Sequence, residues 1–401
     1  MNLDDKLPAL RSIEILPVRK SDDDVYFAMH DPSRIAREPI GISAAGYFVL
    51  MYLDGEHTCA DVQAAFRAEV GLELPISEIL KVVAALDQAL MLHGERFEAV
   101  YAERREAYRQ APYRDNRDRY PDGAALRQEI DAMLAGVPAA VPASICGLVA
   151  PHLDYARGGP CYAAAYAGLA QRPAAERFVI LGTNHAGQSA SVVATTKDFQ
   201  TPLGLARTDA RFIEHLEQRL GSPLCTHELD HVGEHSIELQ VHVLQHIMQE
   251  RPFEIVPILC PNACGPTGTA PADGTGPDLA DFAGALAEHI SASDRPTVII
   301  ASADLSHVGQ RFGDPEPTTV EHLQDVERWD RELLSNLEMG DEQTFLQKLT
   351  ATENPTRVCS SGCLYVFRRA LSAHPCQVVK YHQAVDMEAE THVTCAAGVA
   401  G

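Results

Sequence analysis

The sequence predicts an α/β protein. Its main part should be a three-layer domain with a central, mostly parallel or mixed sheet flanked by helices, and a small, mainly helical, winged-helix-like domain should precede it. Three observations predict this. From Gly147 onward, short apolar runs of strand length alternate with amphipathic stretches of helical period. Three of those runs end at a histidine: Gly147 to His152, Arg177 to His185 and Thr297 to His307. Ahead of them, three helical stretches separated by tight turns, the first two opening on capping residues, lie between Ser43 and Leu92.

Taken in order, residues 1–40 are mixed and punctuated by proline, without a strong period. Ser43 caps a helix that ends at Asp54-Gly55, and Thr58 caps a second that stops before Gly71. The third runs from Pro75 with apolar residues at 76, 79, 80, 83, 86 and 90, one stripe of a helix. Residues 98–121 are charged and flanked by proline, which predicts a helix and connector whose arginines form a solvated face. The domains are therefore read as 1–97, a linker at 98–121, and 122–401.

From Gly123 a helix to Leu134 leads into a strand at 145–152. Helix 159–170, strand 177–184 and helix 209–219 follow. After a polar loop come helix 234–250, strand 253–259, a Gly/Pro-rich surface loop at 261–277 and helix 279–291. Strand 297–303, helices 318–336, 341–350 and 362–372, and strand-like runs 377–382 and 391–399 complete the chain.

Charge and composition narrow the function. With Asp+Glu 56 against Lys+Arg 33, the net charge is -23, which repels phosphate backbones, so nucleic acid is not expected as a partner. No apolar run reaches the ~20 residues a membrane helix needs, and the start is acidic rather than leader-like. A cytoplasmic protein with no membrane partner is expected, its ten cysteines reduced.

The strand-end residues His152, His185, Asp304 and His307 point to a metal or acid/base site, because α/β proteins bind ligands where strands exit the sheet. Neutral imidazole suits iron, zinc and copper. Glu234, His235 and Glu238 open the helix at 234–250, where acidic groups are favoured by the helix dipole. Cys359 precedes an amphipathic helix, a position that lowers a thiol pKa and makes a thiolate ligand or nucleophile. Cys260 and Cys264 repeat the spacing of Cys359 and Cys363, but a four-cysteine zinc site ordinarily uses C-x-x-C. His227-Glu228-Leu229-Asp230-His231 matches the zinc-protease pattern H-E-x-x-H, yet it lacks the apolar stripe of a helix and Gly233 follows at once.

Two resemblances follow from these residues. Leu53-Asp54-Gly55-Glu56-His57-Thr58 between helices resembles the small PqqD-like domains, which bind peptides as adaptors for modifying enzymes. It implies a peptide or protein partner for the N-terminal module. The ordered set Leu148-Val-Ala-Pro-His152 with Tyr155, Val179-Ile-Leu-Gly-Thr-Asn-His185, Thr201-Pro202, Glu234-His235-Ser236-Ile237-Glu238, Ala301-Ser-Ala-Asp304-Leu-Ser-His307, Cys359 and Ala396-Ala397-Gly398 resembles the Memo family, which includes the B component of AmmeMemoRadiSam systems. That family's fold is similar to the class III extradiol dioxygenases, which use non-haem iron.

The resemblance implies metal ligands at His152, His185 and Cys359, with Fe(II) the expected ion and Cu or Zn the alternatives. It implies an acid/base role for His307, with Asp304 orienting or supplementing it. Asp154, Tyr155, Asn184, Glu234, His235 and Glu238 would line the pocket or stand behind the ligands. A small-molecule or peptide substrate is expected, and the reading is an oxygenase-type or redox enzyme. A non-catalytic iron- or copper-binding redox regulator and a zinc hydrolase are the rivals. The chain departs from the family pattern at Leu153-Asp154, at Ala186 in place of a second histidine, at Ser360 after Cys359, and at Pro112 to Tyr120.

Overall fold

The computed structural model describes residues 5–21, 24–117, 120, 122–135, 145–171 and 175–401. The chain divides into two units, Met1–Ala111 and Pro112–Gly401. In the first, β1 (Glu14–Ser21), β2 (Asp24–His30) and β3 (Ile40–Ser43) form an antiparallel sheet before the helices begin. These strands were not expected from the sequence. Helices α1 (Ala44–Leu50), α2 (Cys59–Val70) and α3 (Ile76–Gln88) follow at the expected places. Ser43 accepts from the Gly46 amide, and Thr58 with Asp61 forms a reciprocal capping box. Gly71 ends α2 in the left-handed conformation.

Helix α4 (Glu95–Gln110) buries Phe97, Tyr101 and Tyr108, so most of the charged stretch belongs to the first unit. The solvated face expected there holds for Arg109 and Arg117, which pair with Glu106 and Asp115 at the surface. It fails for Arg114. That residue lies on β4 (Tyr113–Asp115), is 2% exposed, and pairs with Glu238 at 2.7 Å. Burying an arginine is tolerable because its charge is compensated there. Asp118, Arg119 and Pro121 lie outside the described residues.

The second unit opens with β4 and α5 (Gly123–Leu134), then β5 (Gly147–Ala150), α6 (Tyr155–Gln171), β6 (Arg177–Thr183), β7 (Val193–Ala194), β8 (Asp198–Thr201) and β9 (Gly204–Thr208). Next come α7 (Ala210–Leu220), α8 (Asp230–Gly233), α9 (Ser236–Met248), β10 (Glu254–Cys260), α10 (Leu279–Ser291), β11 (Thr297–Ser302) and β12 (Asp304–Val308). Helices α11 (Val320–Met339), α12 (Glu342–Ala351) and α13 (Ser361–Ala370), then β13 (Cys376–Asp386) and β14 (Thr391–Ala400), close it.

One mixed sheet runs β12-β14-β5-β11-β6-β10-β9-β8-β4, with β13 on β14 and β7 on β10. Its centre, β5-β11-β6-β10, is parallel, and β14 joins β5 antiparallel. Alternate side chains divide between two cores. Phe178, Ile180, Val298 and Ile300 face α5, α6 and α9, whereas Val179, Leu181, Ile299 and Ala301 face α7, α10, α12 and α13. Burial on both faces is why these strands read as continuous apolar runs. This is the three-layer α/β architecture expected. Because β5, β6 and β11 are parallel, the residues just past Ala150, Thr183 and Ser302 emerge at one end of the sheet.

Candidate metal centre

His152, His185 and Cys359 meet at that end. One donor atom from each lies within 4.8 Å of the others. His152 leaves β5 by two residues and is 2% exposed. Its Nδ1 lies 3.0 Å from the Ser302 carbonyl, so Nδ1 carries the proton and donates it. Nε2 then faces Cys359, whose Sγ is 3.4 Å away. His185 repeats the arrangement. Its Nδ1 lies 3.0 Å from Glu234 Oε2, and its backbone N–H donates to the same oxygen at 3.2 Å. Metal-binding histidines characteristically donate the second ring N–H to a carbonyl or carboxylate.

Cys359 stands at the start of α13. Next to it, Ser360 ties the helix start to two strands. Its Oγ accepts from the Asp304 N–H at 3.1 Å and lies 3.1 Å from Thr183 Oγ1. The hydroxyl at this departure from the family pattern therefore has structural work. Burial alone would raise the Cys359 pKa, but His152, His307 and His185 hold it well below the usual thiol range. Burial likewise opposes protonation of His152, yet Asp304 and Cys359 push its pKa up to about 9. Burial would raise Glu234 too, and the charge of His185 keeps it well below the usual carboxylate range. Without an ion, two imidazoliums balance a thiolate and carboxylates. A divalent cation bound by neutral imidazoles and the thiolate would take over that balance, so the donor set fits a metal.

Asp304 and His307 sit three residues apart on β12 and would face opposite ways in a regular strand. A bulge sets them opposite Cys395 and Val393, which are two apart, and turns both to one side. Asp304, expected to orient or supplement His307, makes its own contacts with His152. Asp304 Oδ1 accepts from the His152 amide at 3.1 Å and Oδ2 lies 3.5 Å from His152 Nε2. His307 Nδ1 is 3.1 Å from the Leu305 carbonyl, and its ring meets Phe312 edge-on at 5.1 Å.

The residues expected around the ligands divide. Glu234 buttresses His185, and the His235 ring stacks on His185 at 5.6 Å. Asn184 lines the cavity beside the centre and donates to Asp230. Asp154 does not reach the site; it is exposed and pairs with Arg157 one helical turn on, at 2.6 Å. Tyr155 is buried instead, donating to the Leu239 carbonyl at 2.8 Å. Glu238 faces Arg114 rather than the cavity.

The H-E-x-x-H reading fails because α8 begins only at Asp230, leaving His227 ahead of the helix. Buried His231 lies 3.1 Å from the Val193 carbonyl, burial lowers its pKa to about 3, and Thr195 donates to Glu228. The described residues hold no four-cysteine group.

A cavity of about 840 Å³ opens on the centre, with His185 and Cys359 in its wall beside Asn184, Asn262, Cys264 and Arg357. Sequence reasoning missed Asn262, Arg357 and Cys264 as lining residues, because they stand on loops without periodic signal. Its surest pointer to them was proximity to Cys260 and Cys359.

A family model for Memo-like proteins matches residues 119–400. A MEMO1 family protein of Aquifex aeolicus is 28% identical over 348 residues, covering 84% of this chain and 87% of that protein. One from Thermus thermophilus is 30% identical over 305 residues, covering 75% of this chain and 86% of its own. A third, from Methanopyrus kandleri, is 38% identical over 169 residues, 41% of this chain and 54% of that protein. The Aquifex likeness covers more of the chain than residues 119–400 make up, so it extends into the N-terminal unit. The chain belongs to the Memo-like protein family.

Proposed function

We propose that the Pro112–Gly401 unit is a metal-dependent enzyme of the oxygenase type, with Fe(II) held by His152, His185 and Cys359 and Cu or Zn as the alternative ions. The observation that carries this reading is the cavity of about 840 Å³ with two of the three donors in its wall. A site closed on all sides by protein would serve structure; one facing a cavity leaves room for a reactant. Bound there, iron supplies redox and Lewis-acid chemistry toward oxygen and a coordinating substrate.

The side chains do the rest. The Ser302 carbonyl and Glu234 carboxylate fix the two imidazoles so that each offers Nε2. His307 donates a hydrogen bond from its Nδ1–H to the Leu305 carbonyl, leaving Nε2 to take a proton from the substrate and return it. Asp304 keeps a carboxylate against His152 and supplements the negative charge of the donor set. Asn184, Asn262 and Arg357 offer polar contacts to a small-molecule or peptide substrate. The N-terminal unit recruits a peptide or protein partner and takes no part in the chemistry.

A second reading, a non-catalytic iron- or copper-binding redox protein, draws on the depressed thiol of Cys359, since thiolates are the readily oxidised form. Oxygen uptake by the Fe(II)-loaded protein with catechol-like and peptide candidates separates the two. Uptake that falls to background in His307→Ala supports the enzyme. Uptake no greater than in His307→Ala, with full metal loading, leaves the redox protein. Full metal retention by His152→Ala would sink both.

A further inference from the structure

We propose that Arg114 is a positioning residue of this centre: from the edge strand β4 it fixes the turn that carries Glu234, and through Glu234 it sets the direction of His185. The proposal rests on the metal reading above. Arg114 donates from Nε to the His231 carbonyl at 2.6 Å and from Nη2 to the Glu234 carbonyl at 2.6 Å and to Glu238 Oε2 at 2.7 Å. Its guanidinium lies over the Phe199 ring of β8, 4.9 Å from the centroid. The two carbonyls belong to the end of α8 and the residue that caps it. Carbonyls there have no partner within their own helix, and an arginine is one way to satisfy them.

Glu234 is therefore gripped at both ends. Its carbonyl is held by Arg114. Its Oε1 accepts from the His235 and Ser236 amides at 2.9 and 2.8 Å, at the start of α9. Its Oε2 takes both donors of His185. A shift of the turn would move that carboxylate directly, and the imidazole with it. Lysine cannot replace the arginine, because one ammonium does not present two separated N–H groups in a fixed plane to two carbonyls and a carboxylate. Arg114 precedes residues 119–400, so a piece of the site comes from outside the stretch the family model matches.

The test is Co(II) titration of the metal-free full chain, followed by the thiolate-to-cobalt absorption. Arg114→Lys is expected to bind roughly 10- to 100-fold more weakly, the range for loss of groups that orient metal ligands, with a shifted visible spectrum. Arg177→Lys is the control. It disturbs another arginine–carboxylate pair, with Asp209 2.8 Å away and both side chains largely buried, at the opposite end of the sheet. It should lower thermal stability and leave cobalt binding as in the wild type. The milder Glu238→Gln, which loosens the anchor of Arg114, should weaken binding several-fold and covers the case in which Arg114→Lys does not fold.

A second readout needs no metal. In ¹⁵N-histidine spectra of the metal-free protein, assigned with Glu234→Gln, the His185 Nδ1 proton signal should move in Arg114→Lys. Wild-type cobalt affinity and unchanged histidine spectra in Arg114→Lys or Glu238→Gln would overturn the proposal. Failure of the wild-type protein itself to bind cobalt would overturn the metal reading on which it rests.

Discussion

His152 and His185 each commit one ring nitrogen to a neighbour, the Ser302 carbonyl in one case and the Glu234 carboxylate in the other. That commitment fixes which nitrogen faces Cys359. It also sets a proton balance. In the metal-free protein burial opposes the charge on His152, but Asp304 and Cys359 prevail and hold its pKa at about 9. Below that pH a binding ion must displace the proton, so affinity should rise with pH. Cys359 adds no such cost, because its pKa lies well below the usual thiol range. His185, raised well above its ordinary value by Glu234 against the effect of burial, adds a second proton. The dissociation constant should therefore fall by about tenfold per pH unit for each proton displaced, between roughly pH 6 and 9. Isothermal titration in a series of buffers checks this; an affinity independent of pH would show that the histidines are neutral before the ion binds. At this scale the two histidines were legible as ends of apolar runs, because strand ends are where such residues gather, and Cys359 as a thiol ahead of an amphipathic helix. Tyr155 and Asp154 were misread because sequence proximity to His152 says nothing about direction: Tyr155 opens a buried helix face, and Asp154 faces solvent toward Arg157.

At the scale of elements, the centre depends on how closely α13 approaches β10. Gly362 lies in the first turn of α13, three residues after Cys359. A methyl group there would stand 2.1 Å from the Pro261 carbonyl oxygen, a backbone atom that cannot swing aside. Gly362→Ala should cost about 1–3 kcal/mol, as overpacking does, and should weaken metal binding by displacing Cys359. Gly284 in α10 meets nothing within 4 Å of such a methyl, so Gly284→Ala should stabilise by about 0.5–1 kcal/mol through the lower entropy of the unfolded chain. Chemical denaturation with a parallel metal titration reads both; equal effects would refute the packing argument. The helices were legible from their periodic apolar stripes and the central strands from continuous apolar runs, and α10 falls on its expected bounds. Strands β8 and β9 were not. Asp-Phe-Gln-Thr and Gly-Leu-Ala-Arg-Thr are short and half polar, and they pair at the sheet's flank, where one face meets water. The bulge in β12 that turns Asp304 and His307 to one side is likewise set by pairing with β14, a distant partner.

At the scale of the whole molecule, the candidate donors His152, His185 and Cys359 and both large cores of the second unit come from Pro112–Gly401 alone. The formal charge of -23 sets a background that draws in cations generally, so specific binding must be distinguished from this diffuse attraction. Salt makes the distinction: at 0.5 M ionic strength the Debye length is only a few ångströms, and diffuse attraction is screened while direct coordination persists. A chain beginning at Pro112 should bind one equivalent of Co(II) with the affinity of the full protein under these conditions. A chain beginning at Asn116 loses Tyr113–Asp115 and with them Arg114, and its binding should weaken by roughly the same 10- to 100-fold factor as Arg114→Lys. The two chains differ by only four residues, none of which contributes a donor atom to the His152, His185 and Cys359 set. Equal cobalt affinity in both would mean that β4 serves the sheet edge alone. A parallel loss in both would mean that the Met1–Ala111 unit is required for the site to form.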